Sequence, residues 1–325
     1  MINRRHVVAG LAGSATWLTH GSLAAQDIPD RTIRLIVPFA AGGPTDIPAR
    51  LLADEKSKFL PSRLVVENRT GSGVVIGTDL VSKAPKDGQT ILYTTIAHAC
   101  LRALFDRLPF DPVADFTPAA YIGQIPMIML VNKDLPARNL PELIDLLKKN
   151  PGKYDYASSG NGGAVHLASE LFLHMAGGLK VNHIPFRGSS AAMPEVLSGR
   201  IPIMLDVAAA ALPYMQRGEL RALAISSIKR SAAAPSLPTI AESGMPGFDS
   251  VTWFGLLAPT GVPREAINRL NPELRRIVQS KALADLLIAQ GADPIGSSAE
   301  EFAARIKADI AKFTVIIKTA GVRAE

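Results

Sequence analysis

Thr32 to Leu60 read TIRLIVPFAAGGPTDIPARLLADEKSKFL. An apolar run, Ile33 to Val37, passes through Gly42-Gly43 into an amphipathic run from Ala49 to Phe59. A strand that turns through glycines into a helix is the opening of an α/β unit. Asp46 is placed to cap that helix, and Pro48 is tolerated in its first turn. The turn also has a chemical consequence. Helix N-termini expose unpaired N–H groups and partial positive charge, so such a loop can cradle an anion without a lysine or arginine.

The pattern repeats outward. RLVVEN (63–68) and TILYTT (90–95) read as strands, and GSGVVIGTDLVSKA (71–84) as a helix opened by a glycine turn. This β-α-β-α-β series predicts a parallel sheet with helices on both faces. AAYIGQIPMIMLVNK (119–133) is a long apolar run interrupted by Pro126, suited to pass from one lobe to another. A second series follows, with strands in YDYASSG (154–160), KVNHIPF (180–186), IPIMLD (201–206) and LRALAISS (220–227). Helices are expected in 140–153, with a Pro-Gly stop, and in 164–177, 189–199 and 208–218, and SVTWFGLLAP (250–259) is again strand-like before a helical C-terminal stretch. The expected organisation is a signal segment over 1–25, lobe 1 over 26–125, lobe 2 over 126–250, and a return to lobe 1 over 251–325. The crossings, Gln124–Met127 and Ser250–Trp253, would form a hinge around a ligand cleft.

The first 25 residues carry Arg4-Arg5, a weakly apolar stretch from Val7 to Leu18, and small residues ending at Ala24-Ala25. That is the order of a secretory signal, so a periplasmic location is expected. The arginine pair invites a twin-arginine reading, although His6 and Val7 match that motif poorly. Removing this segment takes the formal net charge from +6 to +4. The basic residues are scattered, with no stacking aromatics beside a basic block, so nucleic acid is not an expected partner. No cofactor is expected either. GGPTD lacks the third glycine of a dinucleotide fingerprint, and no pair of cysteine and histidine has zinc-finger spacing.

Two further stretches share the logic of the first loop. ASSGNGGAVH (157–166) and FRGSS (186–190) put glycines and hydroxyls between a strand end and a helix start, the second with a cation, Arg187. Each is also open to plain turn chemistry. Asp206 ends an apolar strand, either facing a cleft or capping the next helix. The single cysteine, Cys100, precludes an intrachain disulfide. It lies two residues after His98, which leaves an exported hydrolase, using Cys100 or a serine with His98, as the competing enzyme reading.

Taken in order, IRLIVPFAAGGPTDIPARLLA, VVENRTGSGVVIGTDLVSKAPKDGQTIL, LPFDPVADFTP, YASSGNGGAVHLASELF, HIPFRGSSAAMPEVLSGRI, PSLPTIAESGMPGF and WFGLLAPTGVP resemble the extracytoplasmic receptors of tripartite tricarboxylate transporters, the Bug family. The resemblance implies a two-lobed periplasmic-binding-protein fold of the Venus flytrap, type II-like kind. It implies a monomer that holds a small carboxylate (dicarboxylate, tricarboxylate, amino acid or aromatic acid) and passes it to membrane permease subunits. A receptor that signals to a sensor instead is the variant of that reading. The proximal carboxylate site implied comprises Phe39, Ala41, Gly42, Gly43, Thr45 and Asp46 with Ser158, Ser159, Gly160, Asn161 and Gly162. Thr95, His98, His166, Phe186, Arg187, Gly188 and Asp206 complete the candidate set. The chain departs from the family at Ala41, where proline is usual, at Phe186-Arg187, where tyrosine-lysine is usual, and at His98, expected at the distal end as a titratable group. Gly43 is where the backbone is expected to approach the ligand.

Overall fold

The first three apolar runs become parallel strands, β1 (Ile33–Val37), β2 (Leu64–Asn68) and β3 (Thr90–Thr95), in the spatial order β2-β1-β3. The protein is described by a computed structural model covering residues 32–59 and 63–323, so the signal segment expected over residues 1–25 lies outside the described residues. The connecting helices are α1 (Asp46–Phe59) and α2 (Val75–Ser82). Val74, just before α2, adopts φ 76° and is buried. Left-handed backbone costs about 1–2 kcal/mol for a residue with a β-carbon. Burying a valine side chain is worth about 1.5–3 kcal/mol, enough to offset it.

β4 (Phe116–Val131) joins the two halves of the molecule. Its Phe116–Pro126 portion pairs antiparallel with β9 (Val251–Pro259), which itself pairs antiparallel with β3. Its Met127–Val131 portion pairs with β7 (Ile203–Val207), and residues 128–131 also pair with β8 (Arg221–Ile225), both antiparallel. The partner change falls between Pro126 and Met127, with no break in the strand. Beyond β7 lie β5 (Asp155–Ser158) and β6 (Asn182–Pro185), parallel to it. The second lobe carries α4 (Leu140–Lys149), α5 (Ala164–Met175), α6 (Ser189–Leu197) and α7 (Ala208–Gln216).

Two elements escape the sequence reading. One is α3 (Ala97–Leu104), directly after β3. The other is β10 (Asp293–Ser297), an irregular partner of β4 whose Pro294 and Gly296 argue against a strand. The helices α8 (Arg264–Val278), α9 (Lys281–Ala289) and α10 (Ala299–Thr319) complete the chain. The last helix is not confined to lobe 1. Phe302, Ile306, Phe313 and Ile317 of α10 enter the lobe 1 core, while Ile316 enters the lobe 2 core with Phe172 and Leu171. The apolar stripe of one helix therefore covers both lobes.

The crossing strands are stitched by one hydroxyl. Ser226 Oγ accepts from the Met127 N–H at 2.7 Å and donates to the Ser250 carbonyl at 2.5 Å. Its backbone adds bonds to both strands, Ser226 N to Met127 O at 2.8 Å and Ser250 N to Ser226 O at 3.0 Å. Ser226→Ala would leave a buried N–H and a buried carbonyl each short of a partner. It should cost about 1–3 kcal/mol in urea unfolding, whereas an unchanged midpoint would mean the hydroxyl is dispensable.

Candidate functional site

Strand direction decides where the loops meet. β3 and β4 run the same way, because each is antiparallel to β9. β7 and its parallel neighbours run against β4. The C-terminal ends of β1 and β3 therefore point toward lobe 2, and those of β5, β6 and β7 point toward lobe 1. The register places both edges at the crossover. Thr95 pairs with Phe254, which pairs with Gly123, and Val207 pairs with Met127. Ligands of α/β sheets bind outside the carboxyl ends of the strands, and here two such edges confront each other.

The lobe 1 edge carries the loop from Pro38 to Thr45. Asp46 is the first residue of α1, not a cap before it. Its buried carboxylate takes the Gly42 N–H and Arg50 Nε on Oδ2, both at 2.8 Å, and Asn68 Nδ2 on Oδ1 at 2.8 Å. Burial alone would raise its pKa, but the Arg50, Asn68 and Gly42 donors outweigh it and hold the carboxyl below its ordinary value. Asp46 thus braces the loop, and Gly42's N–H is already engaged. Asn68 also donates to the Phe39 carbonyl at 3.0 Å. Gly42, with φ +76°, is the position that needs glycine. A β-carbon on Gly43 would crowd the Ala40 carbonyl at 3.3 Å, so a close approach there is first a matter of the loop itself. Ala41 is exposed and Thr45 is nearly buried. Thr95, at the end of β3, accepts the Ala97 N–H at 3.3 Å.

The lobe 2 edge is held from behind by two imidazoles. Ser158 Oγ lies 2.6 Å from His183 Nε2. His166 Nδ1 accepts the Gly162 N–H at 3.0 Å, and the two rings stack at 3.8 Å. His166 is buried under the loop, so it positions Gly162 instead of facing the cleft. Tyr156 stacks on His183 and donates to Glu170 Oε1 at 2.5 Å. Gly162, at φ +69°, lies against Leu104 and Val322, where a β-carbon would sit 3.6 Å from each side chain. The loop of lobe 2 therefore touches lobe 1. Ser159 and Gly160 are half-buried and Asn161 is exposed. The Ser158 carbonyl accepts the Phe186 N–H and the Ser159 carbonyl accepts that of Gly188, binding the loops after β5 and β6 to each other. Arg187 is exposed beside them. Neither α5 nor α6 has a side-chain cap, whereas Asn139 and Ser298 cap α4 and α10. At α6 the Ala191 and Ala192 N–H groups bond to the Gly188 carbonyl, and the earlier N–H groups of both helices are left for another acceptor.

His98 and Cys100 are corrected by the structure. His98 is 1% exposed, packs edge-on against Phe116, and bonds through Nε2 to the Pro112 carbonyl at 2.7 Å. Burial lowers its pKa to about 4, so it is neutral near pH 7 and supplies no cation for a distal carboxylate. The Cys100 thiol is buried in the lobe 1 core, where desolvation and then Asp309 push its pKa up to about 12. A thiol so protonated and enclosed is no nucleophile. No turn signal in the sequence announces α3, so the face on which these residues lie is not legible without the structure. Among the described residues no cluster of histidine, cysteine and acids could hold a metal ion.

Residues 48–322 match the family model described as Tripartite tricarboxylate transporter family receptor. The UPF0065 protein in the tcbD-tcbE intergenic region of Pseudomonas sp. (strain P51) is 35% identical, over 97% of this chain and 94% of its own length. The solved structure of R. palustris Rpa4515 with adipate is 34% identical with a TM-score of 0.76, covering 91% of this chain and 99% of that one. MatC (Rpa3494) from Rhodopseudomonas palustris with bound malate is 29% identical with a TM-score of 0.71, covering 89% and 99%.

The buried imidazoles make stability pH-dependent. Burial lowers His98 and His166, each from 6.5 to about 4, with His183 adding to the effect at His166. Between those values the unfolded chain binds protons that the native protein refuses. Stability is therefore full above pH 6.5 and is lost as pH falls towards 4, by on the order of 3 kcal/mol per group. Denaturant unfolding at pH 7.5, 5.5 and 4 should show this slope. His98→Gln and His166→Gln should each flatten it, and an unchanged slope in both would remove these groups as its source.

Proposed function

This chain belongs to the tripartite tricarboxylate transporter receptor family, and we propose that it is a periplasmic solute-binding protein that captures a small carboxylate between its lobes for delivery to a membrane permease. The observation that carries the reading is the confrontation of two C-terminal strand edges at the β4 crossover, with glycine-bearing loops on both and uncapped helices on the lobe 2 side. The relatives Rpa4515 and MatC carry adipate and malate, both dicarboxylates. A hydrogen bond to a charged group is worth about 1.5–3 kcal/mol, so several N–H and O–H donors hold a carboxylate without a buried cation.

The hinge of this receptor is the pair of crossings near Gln124–Met127 and Ser250–Trp253, and its export signal is the segment 1–25. Ala41, Thr45, Ser159, Gly160, Asn161 and Arg187 contact the ligand, while Asp46, Ser158 and His166 shape the loops that do so. The ligand is held and not turned over. One observation favours a second, catalytic reading: Ser158 Oγ and His183 Nε2 are 2.6 Å apart, the spacing of a nucleophile and its base. The serine side chain is buried, however, and its hydroxyl is shared with the Gly160 backbone.

Thermal unfolding with a carboxylate panel including adipate and malate tests the receptor reading. A ligand at 100-fold excess over Kd should add about 2.7 kcal/mol of stability. Mass spectrometry should recover it unaltered, and small-angle scattering should show a more compact particle unless the free protein is already closed. Stabilisation by no carboxylate would sink the receptor reading. Product formation that is lost in Ser158→Ala would establish the catalytic one.

A further inference from the structure

Asp206 has a carboxyl group that the protein only half satisfies. Oδ1 accepts Ser189 Oγ and the Val207 N–H, both at 2.8 Å. Oδ2 is buried and has no hydrogen-bond partner. Buried polar atoms without a partner are uncommon, and a carboxylate oxygen is among the costlier ones to leave bare. The residue caps no helix, since α7 opens after Val207 without a side-chain cap. Burial raises its pKa to about 6, against the Ser189 and Val207 donors, so near pH 7.5 it is mostly ionised.

Its position gives the bare oxygen a use. Asp206 pairs with Ile128 of β4, one residue past the Met127 crossover, on the edge of lobe 2 that faces lobe 1. Ser189, which holds Oδ1, is the first residue of α6, a helix of nine residues without a side-chain cap. The Ala191 and Ala192 N–H groups turn back to the Gly188 carbonyl, which leaves those of Ser189 and Ser190 at the helix end that the Ser189 hydroxyl ties to the half-satisfied carboxyl. A simple carboxylate would suit the N–H groups but would be repelled by Asp206. A carboxylate with an O–H or N–H on the next carbon suits both.

We propose that Asp206 selects ligands bearing a hydroxyl or ammonium group beside a carboxylate, the carboxylate meeting the α6 N-terminus and the neighbouring donor filling Oδ2. The proposal rests on the carboxylate-receptor reading and narrows it to a substrate class. Aspartate 206 is then a specificity residue that contacts the ligand directly, and the plain dicarboxylates become weaker ligands of this chain.

Matched pairs test it. Calorimetry at pH 7.5 would compare succinate with malate and aspartate, and adipate with 2-aminoadipate, so that chain length is not limiting. In the native protein the donor-bearing member should bind about tenfold tighter or more. In Asp206→Ala the ratio should fall to within about twofold, the worth of a lost charged acceptor. Asp206→Asn keeps a carbonyl for Ser189 and Val207 and puts an N–H at the Oδ2 position, so the preference should vanish or reverse there. This second variant serves if the alanine protein does not fold. Equal affinities within every pair in the native protein, or a preference that survives both substitutions, overturns the proposal and leaves the receptor reading standing. Binding of none of the five compounds overturns the proposal, and the wider carboxylate panel then decides the receptor reading separately.

Discussion

One strand carries the hydrogen bonding of both lobes. β4 pairs with β9 up to Pro126 and with β7 from Met127 onward, so the lobes are two ends of a continuous ladder. Every strand that neighbours β4 inherits its direction from that pairing. The inheritance turns the parallel edges of the two lobes toward each other, and so places the anion-cradling loops on opposite sides of one gap. Relative motion of the lobes must then bend or twist β4 where its partner changes. Ser226 ties the two crossings together, and α10 packs into both cores. Arg305 and Lys312 of α10 also hold Asp249, just before β9 returns. Any change in the width of the gap has to carry or slide this helix.

The edges are electrostatically quiet despite their residues. Asp46 is ionised, but Arg50, Asn68 and the Gly42 N–H absorb its charge. His166 and His183 are neutral at pH 7, because burial disfavours the imidazolium form of each. What remains for a ligand is mostly dipolar: first-turn N–H groups of α5 and α6, and hydroxyls. Dipoles fixed by a folded backbone need no reorganisation when an anion arrives, and they discriminate by direction more than by strength. The exposed Arg187 and Asp206, a charge with one oxygen unspent, are the exceptions.

Periodicity made most of the elements legible. TILYTT is β3 residue for residue, and the helices expected in 140–153, 164–177 and 189–199 form over 140–149, 164–175 and 189–197, each ending just before its stop residues. The two missed elements failed for different reasons. The eight residues of α3 follow a strand without a turn signal, so nothing in the pattern announces a helix start. β10 contains proline and glycine and exists because β4 offers it a free edge. A strand made by its partner leaves no mark of its own.

The site divides in the same way. By itself, the sequence determined that glycine loops lie between strand ends and helix starts, since turn residues and helix capping act within a few residues of each other. Only the tertiary structure decided what each polar side chain does there. It sent Asp46 back to the Gly42 N–H, turned His98 into the lobe 1 interior, set His166 beneath Gly162, and left Oδ2 of Asp206 bare. Those outcomes depend on partners from other elements, such as Asn68 for Asp46 and Pro112 for His98, and on the desolvation that packing imposes. A chain pattern encodes which groups are available, whereas burial and direction decide which of them remain free for a ligand.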